Sequence, residues 1–171
     1  PAAPDGPSFR QIEFELSDLP RHADAVVACT SLHHVGDPAR VLDKVANTLE
    51  SAGVMIVVEW DWESFDAATA AWCFERLART ETRSWLRRRS EEWAASGQPW
   101  EQYFRSWAER AGLHGGGRLI EELDRRFERL ACDRGPYCFP DLFEEELDAI
   151  EARQIQATRI DYVGRVRVDP R

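Results

Sequence analysis

The hydrophobic pattern changes period twice between Ala23 and Asp61. Ala25 to Cys29 is a short continuous apolar run, and Val54 to Val58 is a second one. Runs of this length predict buried strands of a parallel sheet. Between them, apolar side chains recur every three or four residues, as on one face of a helix: Val41, Leu42, Val45 and Leu49. The stretch therefore predicts one βαβ unit.

The polar residues around this helix predict where it begins and ends. Leu32 to Pro38 reads as the loop after the first strand, with Asp37 as the N-cap and Pro38 as the first helical residue. Gly53 is predicted to end the helix just before the second strand.

Polar groups follow the first strand of the unit directly: Cys29, Thr30, His33 and His34. Ligands of open α/β sheets bind beyond the carboxyl ends of the strands. We therefore expect a binding site at the end of this strand.

The rest of the chain extends the α/β pattern. Gln11 to Leu16 alternates apolar and acidic residues, which predicts a half-exposed strand, and Asp66 to Leu113 is helical apart from a break at Ser96 to Pro99. The remaining predicted elements are a turn at His114 to Gly117, a helix over Arg118 to Arg126, a strand over Phe127 to Cys132, a helix over Leu142 to Gln154 and a strand over Ile160 to Val168. The last two strands fit an antiparallel ending on a doubly wound parallel sheet.

Composition narrows the class of partner. The chain has 171 residues, the size of a single domain, and a formal net charge of -9. This charge disfavours nucleic acid and anionic membranes as partners and leaves a small molecule as the default. The longest apolar runs are too short to span a bilayer, and the four cysteines lack the spacing of a zinc or redox motif. We expect a cytoplasmic protein with reduced thiols and no bound metal.

Two segments resemble a known family. FELSDLP, followed by the βαβ unit from Ala23 to Asp61, is similar to the middle of class I S-adenosylmethionine-dependent methyltransferases, nearest to the small-molecule, quinone-biosynthesis branch. The segment ARQIQATRIDYVGRVRV resembles the closing helix and antiparallel strand of that family. The resemblance implies a Rossmann-like doubly wound sheet, S-adenosylmethionine as cofactor and a small-molecule methyl acceptor.

The resemblance also assigns roles to single residues. Glu15 stands where the family's acidic residue meets the adenine amino group, and Leu16 where a backbone N–H meets the adenine ring. Cys29 stands where the methionine part of the cofactor is held, and Thr30 and His33 would line the same crevice. Two motifs depart from the family pattern, since Glu15-Leu16 replaces Asp-Ala, and Ser51-Ala52-Gly53 replaces Pro-Gly-Gly.

The family's glycine-rich loop and its ribose-binding acidic residue have no counterpart before Glu15. The sequence therefore predicts the C-terminal part of a methyltransferase domain, N-terminally truncated, with residues 66–126 as a helical insertion or lid. The alternative is a truncated, non-catalytic domain that acts through protein–protein contacts, including a possible homodimer, because an incomplete sheet leaves an open edge. An α/β hydrolase is disfavoured by the lack of a G-x-S-x-G elbow.

His33 and Glu59 are the candidate catalytic residues. Methyl transfer needs a general base only when the acceptor loses a proton as it attacks. Each candidate also has a structural alternative, since a histidine after a strand can cap or pack beneath the next helix. Glu59 and Asp61 can equally be surface carboxylates at a strand exit.

Three further features have open interpretations. The Trp-rich helices between Asp66 and Leu113 could present an aromatic surface to an acceptor or pack over the sheet. Arg87 to Arg89 could bind an anion or form a solvated face. Cys132 and Cys138 could approach each other or stay free, and His114 reads as a loop residue.

Overall fold

The structure is a computed structural model that describes residues 11–12, 14–17, 19, 21–77, 85–137 and 143–167. Its helices and strands are β1 (Ala23–Cys29), α1 (Pro38–Thr48), β2 (Leu49–Trp60), α2 (Ala67–Leu77), α3 (Trp85–Ser96), α4 (Trp100–Arg110), α5 (Gly116–Arg126), β3 (Phe127–Gly135), α6 (Phe143–Glu151) and β4 (Arg159–Val166). Short 3-10 turns follow β1 at Leu32–His34 and β2 at Trp62–Ser64.

The strands form one mixed sheet in the order β1-β2-β4-β3. β1 pairs with β2 in parallel, with Cys29 opposite Val58. β4 is antiparallel to both β2 and β3. The predicted α/β class, the βαβ unit and the antiparallel C-terminal strand pair are confirmed.

Helices α1 and α5 cover one face of this sheet. Met55 and Val57 of β2 point to that face and are buried, as are Ile160 and Tyr162 of β4. The apolar stripe of α1 packs against them, and Asp37 caps the helix as predicted by accepting from the backbone N–H groups of residues 39 and 40. This aliphatic layer fixes the carboxyl end of β2 relative to the start of α5.

A second, mainly aromatic core lies beyond the carboxyl end of β2. Trp60 at the end of the strand contacts Phe65 and Phe104, and Phe104 stacks on Trp100 with ring centroids 4.6 Å apart. Helices α2, α3 and α4 supply most of the other rings. The Trp-rich helices are thus packed together as a core beyond the strand end, rather than over the sheet as in the structural alternative, and their role as a lid stays a prediction.

The prediction of two fully buried strands is wrong for β1. Val27 is 64% exposed, and Asp24, Ala25 and Cys29 are also exposed. The reason is that Val27 points to the face of the sheet that α1 and α5 leave uncovered, and β1 is also an edge strand of the described sheet. Val54, Ile56 and Val58 are half-buried as well, because α1 and α5 cover only the opposite face of β2.

Two local predictions are also corrected. The described residues of the predicted strand Gln11 to Leu16 form no strand, and Phe14 to Ser17 make a turn. Gly53 does not end α1, which stops at Thr48, five residues earlier. A Cβ at Gly53 would lie 3.0 Å from the carbonyl oxygen of Ala23, so this glycine permits the close approach of β1.

The later elements match the prediction with shifted ends. α5 begins at Gly116 rather than Arg118, and β3 continues to Gly135 instead of stopping at Cys132. Leu142, Val168 and Cys138 of the predicted segments lie outside the described residues.

Because the two faces of the sheet differ in burial, we expect a Val→Ala substitution to lower the free energy of unfolding more on the covered face. Val57→Ala removes a side chain that is 1% exposed, and we expect it to lower the free energy of unfolding by about 1.5 to 3 kcal/mol. Val27→Ala, on the neighbouring strand, should change it by less than about 0.5 kcal/mol because Val27 is already exposed. Urea unfolding followed by Trp fluorescence measures both. Equal losses of unfolding free energy in the two variants would contradict an uncovered face of β1 at Val27.

Candidate functional site

The candidate site lies where β1 and β2 end side by side. The N–H of Thr30 donates to the carbonyl of Val58 at 2.7 Å, which carries the strand pairing one residue past β1. Thr30 then turns the chain with a φ of 47°, in the left-handed region that costs a residue with a Cβ about 1 to 2 kcal/mol. The side chains of Cys29 and Thr30 are both exposed at this corner.

A buried carboxylate holds the loop that follows. Glu59 is 1% exposed, and one of its oxygens accepts from the N–H groups of Ser31 at 2.5 Å and Leu32 at 2.6 Å. The other oxygen accepts from His33 Nδ1 and from the N–H of Trp60 at 3.1 Å. Four donors therefore converge on one side chain of β2.

These donors decide the charge of Glu59. Burial raises its pKa, but the hydrogen bond and charge of His33 and the N–H groups of Leu32 and Ser31 outweigh burial. The net pKa of Glu59 lies below its ordinary value of 4.5, so the group is a carboxylate at neutral pH. Glu59 is thus a buried anion that fixes backbone, rather than the surface carboxylate of the structural alternative.

His33 is oriented by this carboxylate. Because an ionised carboxylate can only accept, His33 Nδ1 carries the proton of their hydrogen bond. The ring lies edge-on to Trp60 at 6.0 Å and beside His34 at 4.1 Å between centroids. No described residue hydrogen-bonds to Nε2 of His33.

His34 differs from its neighbour in being exposed. Partial burial lowers the pKa of His34, and the charge of His33 lowers it further, while Glu59 opposes the change. His34 is therefore neutral over a wider pH range than a free histidine.

His114 has long-range partners that the sequence does not reveal. Its backbone N–H donates to the carbonyl of His33 at 3.0 Å, and its ring Nε2 donates to the carbonyl of Val35 at 2.8 Å. Nδ1 faces Arg118 at 3.3 Å. The loop before α5 is thereby fastened to the loop after β1.

Asp61 holds the N-terminus of α5 by a hydrogen bond to its backbone. Its side chain is buried and accepts from the N–H of Gly116 at 3.1 Å, from Ser64 Oγ at 2.7 Å and from Arg134. A negative group at a helix N-terminus is favourable. A Cβ at Gly116 would lie 2.5 Å from the Asp61 carboxyl carbon, so glycine is needed for this contact.

The predicted adenine-binding residues lie in the turn before β1. Glu15 is exposed, and its carboxylate accepts at 3.3 Å from the N–H of Gly36, in the loop between β1 and α1. Leu16 is 83% exposed, an unusual environment for a large apolar side chain. Glu15 thus contacts the β1–α1 loop, to which His33 belongs.

A cleft of about 490 Å³ opens on the other side of His114. Trp62 and Phe104 supply apolar walls, while Glu63, Arg105 and Arg118 supply charge. The volume lies in the range of small-molecule sites.

The structure also describes the arginine and cysteine side chains that the sequence singles out. Arg89 is buried, pairs with Glu92 at 2.7 Å and lies over the ring of Trp107, so the prediction of a solvated face is wrong for it. Cys29, Cys73 and Cys132 are free thiols. Among the described residues no His, Cys, Asp and Glu side chains form a group able to hold a metal ion, and no helix there is long and apolar enough to cross a membrane.

No protein-family model and no curated protein sequence matches the chain, but solved structures do. An S-adenosylmethionine-dependent methyltransferase from Mesorhizobium loti matches with a TM-score of 0.55 at 15% identity, over 96% of this chain and 72% of that protein. The chain has the Rossmann-like fold of class I methyltransferases.

Two further solved structures are similar to the chain. The (4+2)-cyclase SpnF has a TM-score of 0.50 at 18% identity, over 94% of this chain and 56% of SpnF. The N-methyltransferase NodS from Bradyrhizobium japonicum has a TM-score of 0.49 at 8% identity, over 92% of this chain. The chain spans 53% of the length of NodS. At these identities the likeness concerns the fold alone.

The hydrogen bonds predict opposite tautomers for two histidines. His33 should carry its proton on Nδ1, facing Glu59, and His114 on Nε2, facing the carbonyl of Val35. Imidazole ¹⁵N NMR at neutral pH, with resonances assigned through His33→Gln and His114→Gln, distinguishes the two. The same tautomer for both rings would contradict the described network.

The lowered pKa of Glu59 predicts a pH-dependent loss in Glu59→Gln. The contribution of the carboxylate is complete above its ordinary pKa of 4.5 and disappears as the pH falls through the lower folded-state pKa. We expect the variant to lose about 1.5 to 3 kcal/mol of unfolding free energy at neutral pH, with the gap closing below 4.5.

Urea unfolding at several pH values measures this gap. Glu128→Gln is the matched control, because Glu128 is exposed on β3 and has no described contact with the site. A gap that stays constant down to acid unfolding would show that the Glu59 charge is not what holds the loop.

Proposed function

We propose that the chain is the cofactor-binding and acceptor-facing part of an S-adenosylmethionine-dependent methyltransferase that acts on a small molecule. The observation that carries this proposal is the loop after β1. Glu59 holds its backbone by hydrogen bonds, while Cys29 and Thr30 stay exposed where the loop begins. In a Rossmann-like sheet this corner, at the carboxyl end of a parallel strand, is where ligands bind.

The residues present fit S-adenosylmethionine on two counts. Leu16 offers exposed apolar surface for a flat adenine ring, and the carboxylate of Glu15 beside it can accept from an exocyclic amino group. Thr30 and Cys29 place backbone and small polar side chains where the methionine part would lie. When bound, the cofactor supplies an electrophilic methyl group on a sulfonium.

The protein's part in such a reaction is mainly to position the reactants. Holding two reactants in line is worth about 7 to 11 kcal/mol, so no further charged catalyst is obligatory. Where the acceptor loses a proton, we propose His33 Nε2 as the base, with Glu59 as the positioning residue that holds the proton of Nδ1.

The cleft beside His114 is the proposed acceptor site. It is large enough for a small molecule, and its aromatic walls and charged rim suit an aromatic acceptor with polar substituents. His114 itself connects the cleft to the loop of His33 through its backbone N–H.

We further propose that a glycine-rich half of the cofactor site comes from sequence that precedes the 171 residues in the natural protein. The open edge of β1 supports this, since a further strand could hydrogen-bond along it. The coverage of 72% of the Mesorhizobium protein leaves room for such a segment.

The second candidate is a non-catalytic domain that acts through protein contacts, including a homodimer. The specific observation in its favour is the same open edge, which carries the exposed Val27. The two candidates differ in one experimental outcome, nucleoside binding, because a protein-contact module need not recognise a nucleoside.

The function is tested by NMR titration of the ¹⁵N-labelled chain with S-adenosylhomocysteine. We expect shift changes at Glu15, Leu16, Cys29 and Thr30, with saturation at millimolar ligand at the weakest, because one half of the site is present. S-inosylhomocysteine, which lacks the adenine amino group, should bind more weakly, and Glu15→Gln should reduce that difference. No shift changes, or changes confined to other elements, would contradict the proposal and favour the contact module.

A further inference from the structure

Lysine is used at a single position of this chain. Of the 22 basic residues, 21 are arginine, and the exception is Lys44 in the middle of α1. Lys44 Nζ donates to the backbone carbonyls of Phe14 at 2.9 Å, Glu15 at 3.3 Å and Ser17. The side chain is half-buried between the helix and this turn.

The geometry of these contacts suits an ammonium group. An ammonium has three donors directed away from one nitrogen, so it can serve three carbonyls that converge on a point. A guanidinium spreads its donors in a plane and suits the forked geometry of carboxylates. We therefore expect that an arginine at position 44, the residue used at the other 21 basic positions, would serve fewer of the three turn carbonyls.

The turn has few other attachments among the described residues. The ring of Phe14 packs at the margin of the aliphatic core, with Lys44 Nζ 6.0 Å from its centroid. The carboxylate of Glu15 meets Gly36 at 3.3 Å, while Leu16 projects into solvent. Three of the four carbonyls of Phe14 to Ser17 therefore depend on one side chain.

We propose that Lys44 is a positioning residue that sets the Phe14 to Ser17 turn for recognition of an adenine ring. The inference rests on the proposed function, and it adds a residue outside the site that determines nucleoside affinity and base selectivity. All described hydrogen bonds of Lys44 go to carbonyl oxygens, so we expect it to act through the backbone of the turn.

The test compares Lys44→Arg and Lys44→Met with the matched control Arg40→Met. Arg40 lies one turn earlier on α1 and lines the same small cavity beside Glu15. We expect both Lys44 variants to raise the Kd for S-adenosylhomocysteine about tenfold, the effect of losing one charge-assisted hydrogen bond. Both should also lose the preference over S-inosylhomocysteine, while Arg40→Met keeps it.

Amide shifts of the turn give a readout that does not need the ligand. In Lys44→Arg, the amide shifts of residues 14–17 should move while those of β2 stay unchanged, which also establishes that the variant folds. A merely structural role would lower the melting temperature without changing the ratio of the two affinities.

The outcomes separate the two proposals. If the wild-type chain binds S-adenosylhomocysteine and Lys44→Arg binds it equally well, the positioning role is overturned and the proposed function stands. If the wild-type chain binds no nucleoside, the proposed function fails, and the role of Lys44 in adenine recognition fails with it, whatever its effect on the turn.

Discussion

The negative charge of Glu59 inside the protein is the constraint on which the polar end of the sheet depends. A buried carboxylate is tolerated only when donors surround it, and β2 alone cannot supply them. The loop after β1 therefore folds inward and presents the N–H groups of Ser31 and Leu32, with the ring of His33. The left-handed φ of Thr30 belongs to the same loop, since the chain must leave β1 and reverse toward Glu59 within one residue.

Asp61 extends this organisation along β2. Met55, Val57, Glu59 and Asp61 alternate with less buried residues, so all four point to the face covered by α1 and α5. Two are apolar and pack against helices, and two are carboxylates that bind the backbone of neighbouring segments. The hydrogen bond from His114 to the carbonyl of His33 then joins those segments to each other. One strand thus sets both sides of the candidate site.

The sequence predicts what depends on local periodicity and misses what depends on distant contacts. The βαβ unit, the Asp37 cap and the antiparallel ending follow from spacing and turn chemistry, and the structure confirms them. The exposure of β1 depends on which elements cover each face of the sheet, which spacing does not encode. Three of the four donors to Glu59 lie 26 to 28 residues away and the carbonyl that binds His114 lies 79 away, so no local pattern indicates them. The resemblance predicts a site at the corner of Cys29 and Thr30, and it does not reveal how that corner is held.

Most charged groups near the corner are occupied in holding backbone, and this limits the chemistry they can perform. Glu59, Asp61 and Lys44 all have buried or converging backbone partners, so none is free to exchange protons with a ligand without loosening the fold. The groups left to face a ligand are a thiol, a hydroxyl, an exposed leucine, the exposed carboxylate of Glu15 and histidine nitrogens. SpnF shows that this fold also occurs in a cyclase, so the fold does not choose the reaction. A rigidly held corner of this kind suits the proposed methyl transfer, a reaction governed by the alignment of the reactants.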